Sequence, residues 1–259
     1  MMAAGPYPGR GQAAELETLA RYYDLRHGAY EDDVAFYREL AEGGGVVLEL
    51  GCGTGRLLLP LAEEGAAVLG VELSPAMLSR ARRRLAGTSL ADRVQLVRAD
   101  MRRPACRGAS LAILALNTFS HFGDRQDQLQ VLEAARTCLL PGGRLVLDLP
   151  NPHLEMDRAE GACVLEQVTE TAEGPLYEWT VAEVERAAQR LRLRSIYDLA
   201  RPDGVLRDTC LVELYLFYRP ELELLLERAG FQVEGVFGDY DYSEYADDSP
   251  RMVAIARVE

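Results

Sequence analysis

The strongest constraint in this chain is a glycine turn set between an apolar strand and a helix. Val46-Val47-Leu48-Glu49-Leu50 is a continuous apolar run of strand length, and it passes directly into Gly51-Cys52-Gly53-Thr54-Gly55. A turn of glycines at a strand's carboxyl end lets backbone approach a ligand that side chains would exclude. The pattern after it alternates. Arg56–Glu64 reads as helix, Ala67–Val71 as buried strand, and Ser74-Pro75 as an N-cap followed by proline at the first helical position of a helix ending near Ala86. Val94–Arg98 and Leu111–Leu116 read as strands, Asp124 caps a helix to about Leu139, and Pro141-Gly142-Gly143 ends it before a strand at Arg144–Leu149. Apolar strands separated by helices predict an α/β fold with a doubly wound, mostly parallel sheet covered on both faces.

The flanks divide the rest. Residues 1–12 read as a flexible tail, and residues 13–42 as two short helices, with Tyr22, Tyr23, His27 and Tyr30 around their join. Residues 43–152 form the α/β core. Across 153–219 the rhythm becomes longer and β-like, notably Arg190–Leu199 and Val205–Phe217 about the turn Arg201-Pro202-Asp203-Gly204, which predicts an antiparallel insertion standing on the main sheet. Residues 220–259 return to the core with a helix ended by Gly230, a strand Phe231–Phe237 and a last strand Met252–Val258.

Composition narrows the chemistry. All 28 basic residues are arginine, against 41 acidic ones, for a net charge of −13 over 259 residues. Without lysine there is neither a Schiff-base nucleophile nor a Walker A lysine for a nucleotide's phosphates. The acidic excess argues against a nucleic-acid partner, which needs a basic patch. No apolar run approaches the roughly 20 residues that span a bilayer, and MMAAGPYPGRGQ lacks a signal peptide's apolar stretch, so no membrane association and a cytoplasmic location are expected. The five cysteines, widely spaced and odd in number, suggest neither a disulfide framework nor a metal site and read as reduced, mostly buried thiols.

The loop itself discriminates between cofactors. A pyrophosphate fingerprint needs G-x-G-x-x-G, but Arg56 or Leu58 stands where the third glycine belongs. Glu72 ends the second strand, 21 residues after Gly51, where an acid accepts ribose hydroxyls. At the end of the third strand Asp100 can accept a hydrogen bond from an exocyclic amine, beside Met101, which can cover a ring. An acid on the ribose and an acid by the base describe an adenosine without a phosphate site.

ELGCGTGR at 49–56, VELS at 71–74, RADM at 98–101, LNTFSH at 116–121 and LLPGGRLVLDLP at 139–150 together resemble the ordered motifs of class I S-adenosylmethionine-dependent methyltransferases. Among these, the chain is most similar to small-molecule N-methyltransferases acting on amino sugars, glycine or related amines. The resemblance implies a seven-stranded sheet with its last strand antiparallel and S-adenosyl-L-methionine across the strand tips. It places Gly51, Gly53 and the Cys52 backbone by the methionine part, Glu72 by the ribose, Asp100 and Met101 by the adenine, and Asn117 by the amino group, with Leu73 also among the cofactor-binding residues. It also implies that YYDLRHGAY at 22–30 is a lid and the insertion a substrate cover.

Other residues carry two readings. Glu49 either ends a strand or orients the loop or the cofactor's ammonium. Tyr23 and Tyr30 either pack the helices or serve the cofactor and substrate through the lid. Trp179 packs the insertion or lines a substrate pocket. His121, just past strand four, is structural or accepts a proton from the acceptor. Asp148-Leu149-Pro150-Asn151-Pro152 reads as a strand end with a turn, and the acidic tyrosine-rich stretch 239–248 as a solvated loop. The expected activity is methyl transfer to a nitrogen or oxygen of a small metabolite, an amine for preference. A noncatalytic cofactor-binding protein and a nicotinamide-dependent oxidoreductase are the competing classes.

Overall fold

The computed structural model describes residues 12–104, 106–158 and 160–259. The elements in chain order are α1 (Gln12–His27), α2 (Val34–Ala41), β1 (Val46–Leu50), α3 (Leu58–Glu63), β2 (Ala67–Glu72), α4 (Pro75–Leu85), β3 (Val94–Arg98), β4 (Ala109–Leu114), α5 (Arg125–Cys138) and β5 (Leu139–Pro150). There follow α6 (Pro152–Met156), β6 (Cys163–Thr171), β7 (Gly174–Glu185), β8 (Arg190–Arg201), β9 (Gly204–Tyr215), α7 (Arg219–Arg228), β10 (Phe231–Phe237) and β11 (Arg251–Val258). The tail expected at residues 1–12 lies outside the described residues except for Gln12, which already belongs to α1.

Seven strands form one sheet in the order β10-β11-β5-β4-β1-β2-β3. All pairings are parallel except those of β11, which runs antiparallel to both β5 and β10. Alternate side chains explain the layers: Leu48, Leu50, Leu114 and Leu147 point into a cluster with α5 and α7, while Val47, Ile113 and Val146 point into the other with α2 and α3. Strand order reverses about β1, which has β2 on one side and β4 on the other. The crevice at such a switch point is where doubly wound sheets bind ligands.

Local chemistry sets the helix starts. The Ser74 hydroxyl accepts from Met77 N–H at 3.3 Å with Pro75 at the first position of α4, and the Asp124 carboxylate accepts from the first turn of α5. The insertion is a separate four-stranded antiparallel sheet, β6-β7-β8-β9, not hydrogen-bonded to the main one. Its inner face receives α1: Tyr22 stacks on Tyr197 with ring centroids 4.1 Å apart, the Tyr22 hydroxyl donates to Asp208 at 2.6 Å, and Arg26 pairs with the buried Glu178 at 2.8 Å. The lid helix is thereby tied to the insertion.

One strand ends earlier than its apolar run predicts. β4 stops at Leu114, and Leu116 and Asn117 both take left-handed backbone, at φ 43° and 67°. Side chains make this conformation costly, at about 1–3 kcal/mol per residue. Hydrogen bonds to Asp148, described below, hold it. Of the five free cysteines, Cys52, Cys138 and Cys210 are buried and Cys163 is exposed. No helix among the described residues is long and apolar enough to cross a membrane.

Candidate active site

A cleft opens at the carboxyl ends of β1, β2 and β4. Its floor is Gly51 and Gly53, one wall is Glu72, Leu73 and Met77, the other is Leu116, Thr118 and His121, and Leu19 and Tyr23 of α1 cover it. Tyr23, Gly51, Gly53, Glu72, Leu73, Met101 and His121 of the sequence-based set therefore meet at one place. Leu19, Met77 and Thr118 also line it, and nothing in their residue type or spacing announces them.

The glycines serve different ends. Gly51 has φ 79°, and a Cβ there would lie 2.5 Å from the Thr118 Cγ2, so loop and β4 turn pack against each other without room for a side chain. At Gly53, with φ 54°, a Cβ would meet nothing within 4 Å, so the backbone there is open to the cleft. Cys52 turns away from the cleft: its Sγ lies beneath β2, where a Cβ on Gly70 would come within 2.8 Å of it.

Glu72 is the best-anchored acid. Its Oε2 accepts from Gly53 N–H at 3.1 Å and its Oε1 from Ser74 N–H at 2.7 Å. Burial pushes its pKa up, and the N–H groups of Ser74, Gly53 and Leu73 pull it back. Two acceptor oxygens thus sit rigidly at the wall with lone pairs to spare.

Glu49 is buried beneath the loop, and its Oε2 has no hydrogen-bond partner. Burial raises its pKa to about 8, with Arg56 opposing and Asp33 and Glu72 adding to the rise. Tyr23 is also raised, to about 12, first by burial. An unsatisfied buried carboxyl beneath an open glycine loop is the observation that tests the cofactor, because the cationic amino end of S-adenosylmethionine would supply the partner this oxygen lacks. The donor set fits that group: an anchored acid for hydroxyls, an orphan acid for an ammonium, and exposed backbone between them.

The other predicted residues stand differently. Met101 lines the cleft, but Asp100 is engaged by Arg102: its Oδ1 accepts from the Arg102 N–H at 2.9 Å and its Oδ2 from Nη2 at 2.6 Å. Burial favours the neutral acid, yet the hydrogen bonds and charge of Arg102 outweigh it and lower the pKa. Asn117 directs its Oδ1 to the Arg251 Nη2 at 2.7 Å. Tyr30 lies outside the cleft, its ring 5.4 Å from the Arg56 guanidinium. Trp179 is paired with Leu165 and Ile196 on the face of the insertion opposite that of the buried Glu178 and Thr180, so the structure does not bring it to the cleft. Strand parity decides this, and the sequence lacked the register to show it.

His121 lines the cleft with its side chain exposed to it. Burial lowers its pKa below 6.5, and a hydrogen bond to the Glu213 backbone opposes the shift. A second histidine, His27, beside Tyr23 at the end of α1, is lowered to about 4 by burial and by Arg26, Arg56 and Arg251.

Sheet order, antiparallel final strand and glycine-floored cleft define the class: the chain has the fold of the class I S-adenosylmethionine-dependent methyltransferases. Residues 47–143 match the family model described as a methyltransferase domain. The chain is 29% identical over 216 residues to the cypemycin N-terminal methyltransferase of a Streptomyces species, covering 82% of each. It is 32% identical over 144 residues to the carboxy-S-adenosyl-L-methionine synthase of Chromohalobacter salexigens, and that match spans about half of each, 54% of this chain and 47% of the relative. Among solved structures, the CcbJ methyltransferase of Streptomyces caelestis superposes with a TM-score of 0.81 at 25% identity, over 93% of this chain and 96% of that one.

Proposed function

We propose that this chain transfers a methyl group from S-adenosyl-L-methionine to a nitrogen or oxygen of a small molecule, with an amine as the favoured acceptor. The carrying observation is the Glu72 carboxylate, fixed by Gly53 and Ser74 N–H groups at the wall of a glycine-floored cleft. In this reading Glu72 holds the ribose hydroxyls, Met101 and Leu73 flank the adenine, and the Gly51–Gly53 backbone with Glu49 holds the amino-acid end. The bound cofactor supplies a methyl group already activated on a sulfonium, so little covalent chemistry is left to the protein. The protein's part is to align the acceptor and exclude water: Tyr23 and Leu19 cover the cleft, and α1 stays seated through Asp208 and Glu178. The match to an enzyme named as an N-terminal methyltransferase supports nitrogen as acceptor, as does the acidic character of the chain. Calorimetry with S-adenosylmethionine and S-adenosylhomocysteine tests the cofactor, and absence of binding by folded protein to both would overturn the proposal. Turnover with a panel of amines and phenols separates an enzyme from a noncatalytic binder.

His121 is assigned as the group that takes the acceptor's proton. Its ring hydrogen-bonds the Glu213 backbone with one nitrogen and leaves the other as an acceptor, and because its pKa is depressed it is neutral at pH 7. The rate is therefore expected to be flat above about pH 6.5 and to fall as the imidazole protonates below it. His121→Asn should slow turnover about 100-fold and abolish that acidic limb. A kcat profile identical to that of the unsubstituted enzyme would dismiss the assignment.

Glu49 gives a second expectation. With a pKa near 8 it is mostly protonated at pH 7, and an ammonium brought to Oε2 stabilises the carboxylate and lowers the pKa. Cofactor binding at pH 7 should thus release close to one proton, and the release should vanish above about pH 9 and in Glu49→Gln. Calorimetry in buffers of different ionisation enthalpy measures it. A binding heat independent of buffer would show that Glu49 does not meet the ammonium.

A further inference from the structure

Two consecutive residues with side chains, Leu116 and Asn117, hold left-handed backbone at the end of the cleft that carries Thr118 and His121. Neither is glycine, so something outside the turn must hold it. The side chain that does so belongs to β5. Asp148 is fully buried, and every acceptor position of its carboxylate is used: Oδ2 accepts from Leu116 N–H at 2.8 Å and from the Tyr240 hydroxyl at 3.0 Å, and Oδ1 from Arg251 Nε at 2.8 Å and from its Nη2. The Asp148 carbonyl accepts from Asn117 N–H at 3.0 Å, and Arg251 Nη2 also donates to Asn117 Oδ1. Both left-handed residues are therefore tied to one aspartate, once through its side chain and once through its backbone.

Resting on the methyltransferase reading, we propose that Asp148 is a positioning residue that holds the Leu116–Asn117 turn and so sets His121 and Thr118 against the glycine loop at the methyl-transfer end of the cleft.

The position of Asp148 gives it reach. Thr118 packs over Gly51 so closely that no Cβ fits between them, and a turn relaxing to ordinary backbone would break that contact and swing the Thr118–His121 segment. Tyr240, which donates to Asp148, is hydrogen-bonded in turn to the Tyr30 hydroxyl at the join of α1 and α2. The Tyr30 carbonyl accepts from Arg56 Nη1 at 2.9 Å, just beyond the glycine loop. The lid join, the glycine loop and the β4 turn are thus connected through one buried carboxylate. Neither Asp148 nor Tyr240 nor Arg251 lines the cleft, so any effect they have on turnover passes through the turn.

Three variants of the full chain test this. Asp148→Asn keeps the shape but replaces acceptor positions with an amide, and it should lower kcat about 30-fold while the affinity for S-adenosylhomocysteine, held at Glu72 and the glycine backbone, stays within about three-fold. Adding Leu116→Gly should recover about ten-fold of that loss, since glycine takes positive φ freely and no longer needs to be held. If Asp148→Asn does not fold, because Arg251 is left buried and unneutralised, Tyr240→Phe decides: it removes one hydrogen bond to Asp148 and should lower kcat about five-fold with affinity unchanged. The proposal is overturned by unchanged kcat in a folded variant, by kcat, affinity and melting temperature falling together, or by no recovery with Leu116→Gly. Failure of the unsubstituted chain to bind S-adenosylhomocysteine would strike the functional reading instead.

Discussion

Glu72→Ala should weaken the binding of S-adenosylmethionine and S-adenosylhomocysteine about 100-fold while leaving the chain folded. The carboxylate does two things at once. Toward the protein it accepts from Gly53 and Ser74 N–H, which fixes the glycine loop against the start of α4. Toward the cleft it offers the remaining lone pairs of both oxygens, enough to accept from two hydroxyls. Hydrogen bonds to a charged group are each worth about 1.5–3 kcal/mol, and ten-fold in affinity corresponds to about 1.4 kcal/mol, so losing two such bonds, part of it recovered by water, gives the stated factor. Glu72→Gln should fall between, near ten-fold, because the amide keeps one acceptor and turns the other position into a donor facing existing donors. Calorimetry measures both, with thermal unfolding as the control. Affinity within about three-fold of the starting value in folded Glu72→Ala would reject the ribose assignment.

Asp33→Asn should be strongly destabilising, by about 3–5 kcal/mol. Asp33 is fully buried and its two oxygens accept from Arg56 Nη1 and Nη2, each at 2.6 Å. Arg56 is nearly as buried, its ring neighbour is Tyr30, and burial pushes the Asp33 carboxyl up while the guanidinium pulls it back. Removing the negative partner leaves a cation without compensation in a place water does not reach, and that is expensive where the intact pair is nearly neutral in its effect. Double substitution Asp33→Asn with Arg56→Met should therefore recover at least half of the loss, because the uncompensated charge has gone. Urea unfolding of the three variants makes the comparison. A loss below about 1 kcal/mol for Asp33→Asn, or no recovery in the double variant, would show that the pair does not act as a buried couple. The pair also joins the α1–α2 lid to the residue after the glycine loop, so cofactor binding should weaken along with stability.

Much of the core was legible because its signals are local. The apolar run into Gly51, Gly53 and Gly55, the Ser74 cap, the Asp124 cap and Gly230 after α7 all act within a few residues, so most strand and helix limits fall close to those expected; β5 instead starts at Leu139 and takes in Pro141-Gly142-Gly143, expected as the break before it. The tip of β4 was misjudged for a physical reason. Ala115 and Leu116 continue an apolar strand pattern, but a carboxylate 32 residues away captures the Leu116 N–H and turns the backbone left-handed. The same holds for the insertion, whose two later strands were marked by the turn at 201–204, while the pairing of β6 with β7 and the outward side of Trp179 depend on register.

The sequence alone settles the order of strands and helices, the glycine floor, the acid at the end of β2 and the absence of lysine chemistry, because each depends on neighbours in the chain or on composition. Tertiary structure decides which of those acids is free to act. It leaves Glu72 with spare lone pairs, binds Asp100 to Arg102, buries Glu49 without a partner and commits Asp148 to the β4 turn. All four are carboxylates at or near strand ends and are alike in sequence. What separates them is the set of donors the fold brings within about 3 Å, because a carboxylate's charge, pKa and remaining acceptor capacity are fixed by its partners and its burial rather than by its position in the chain.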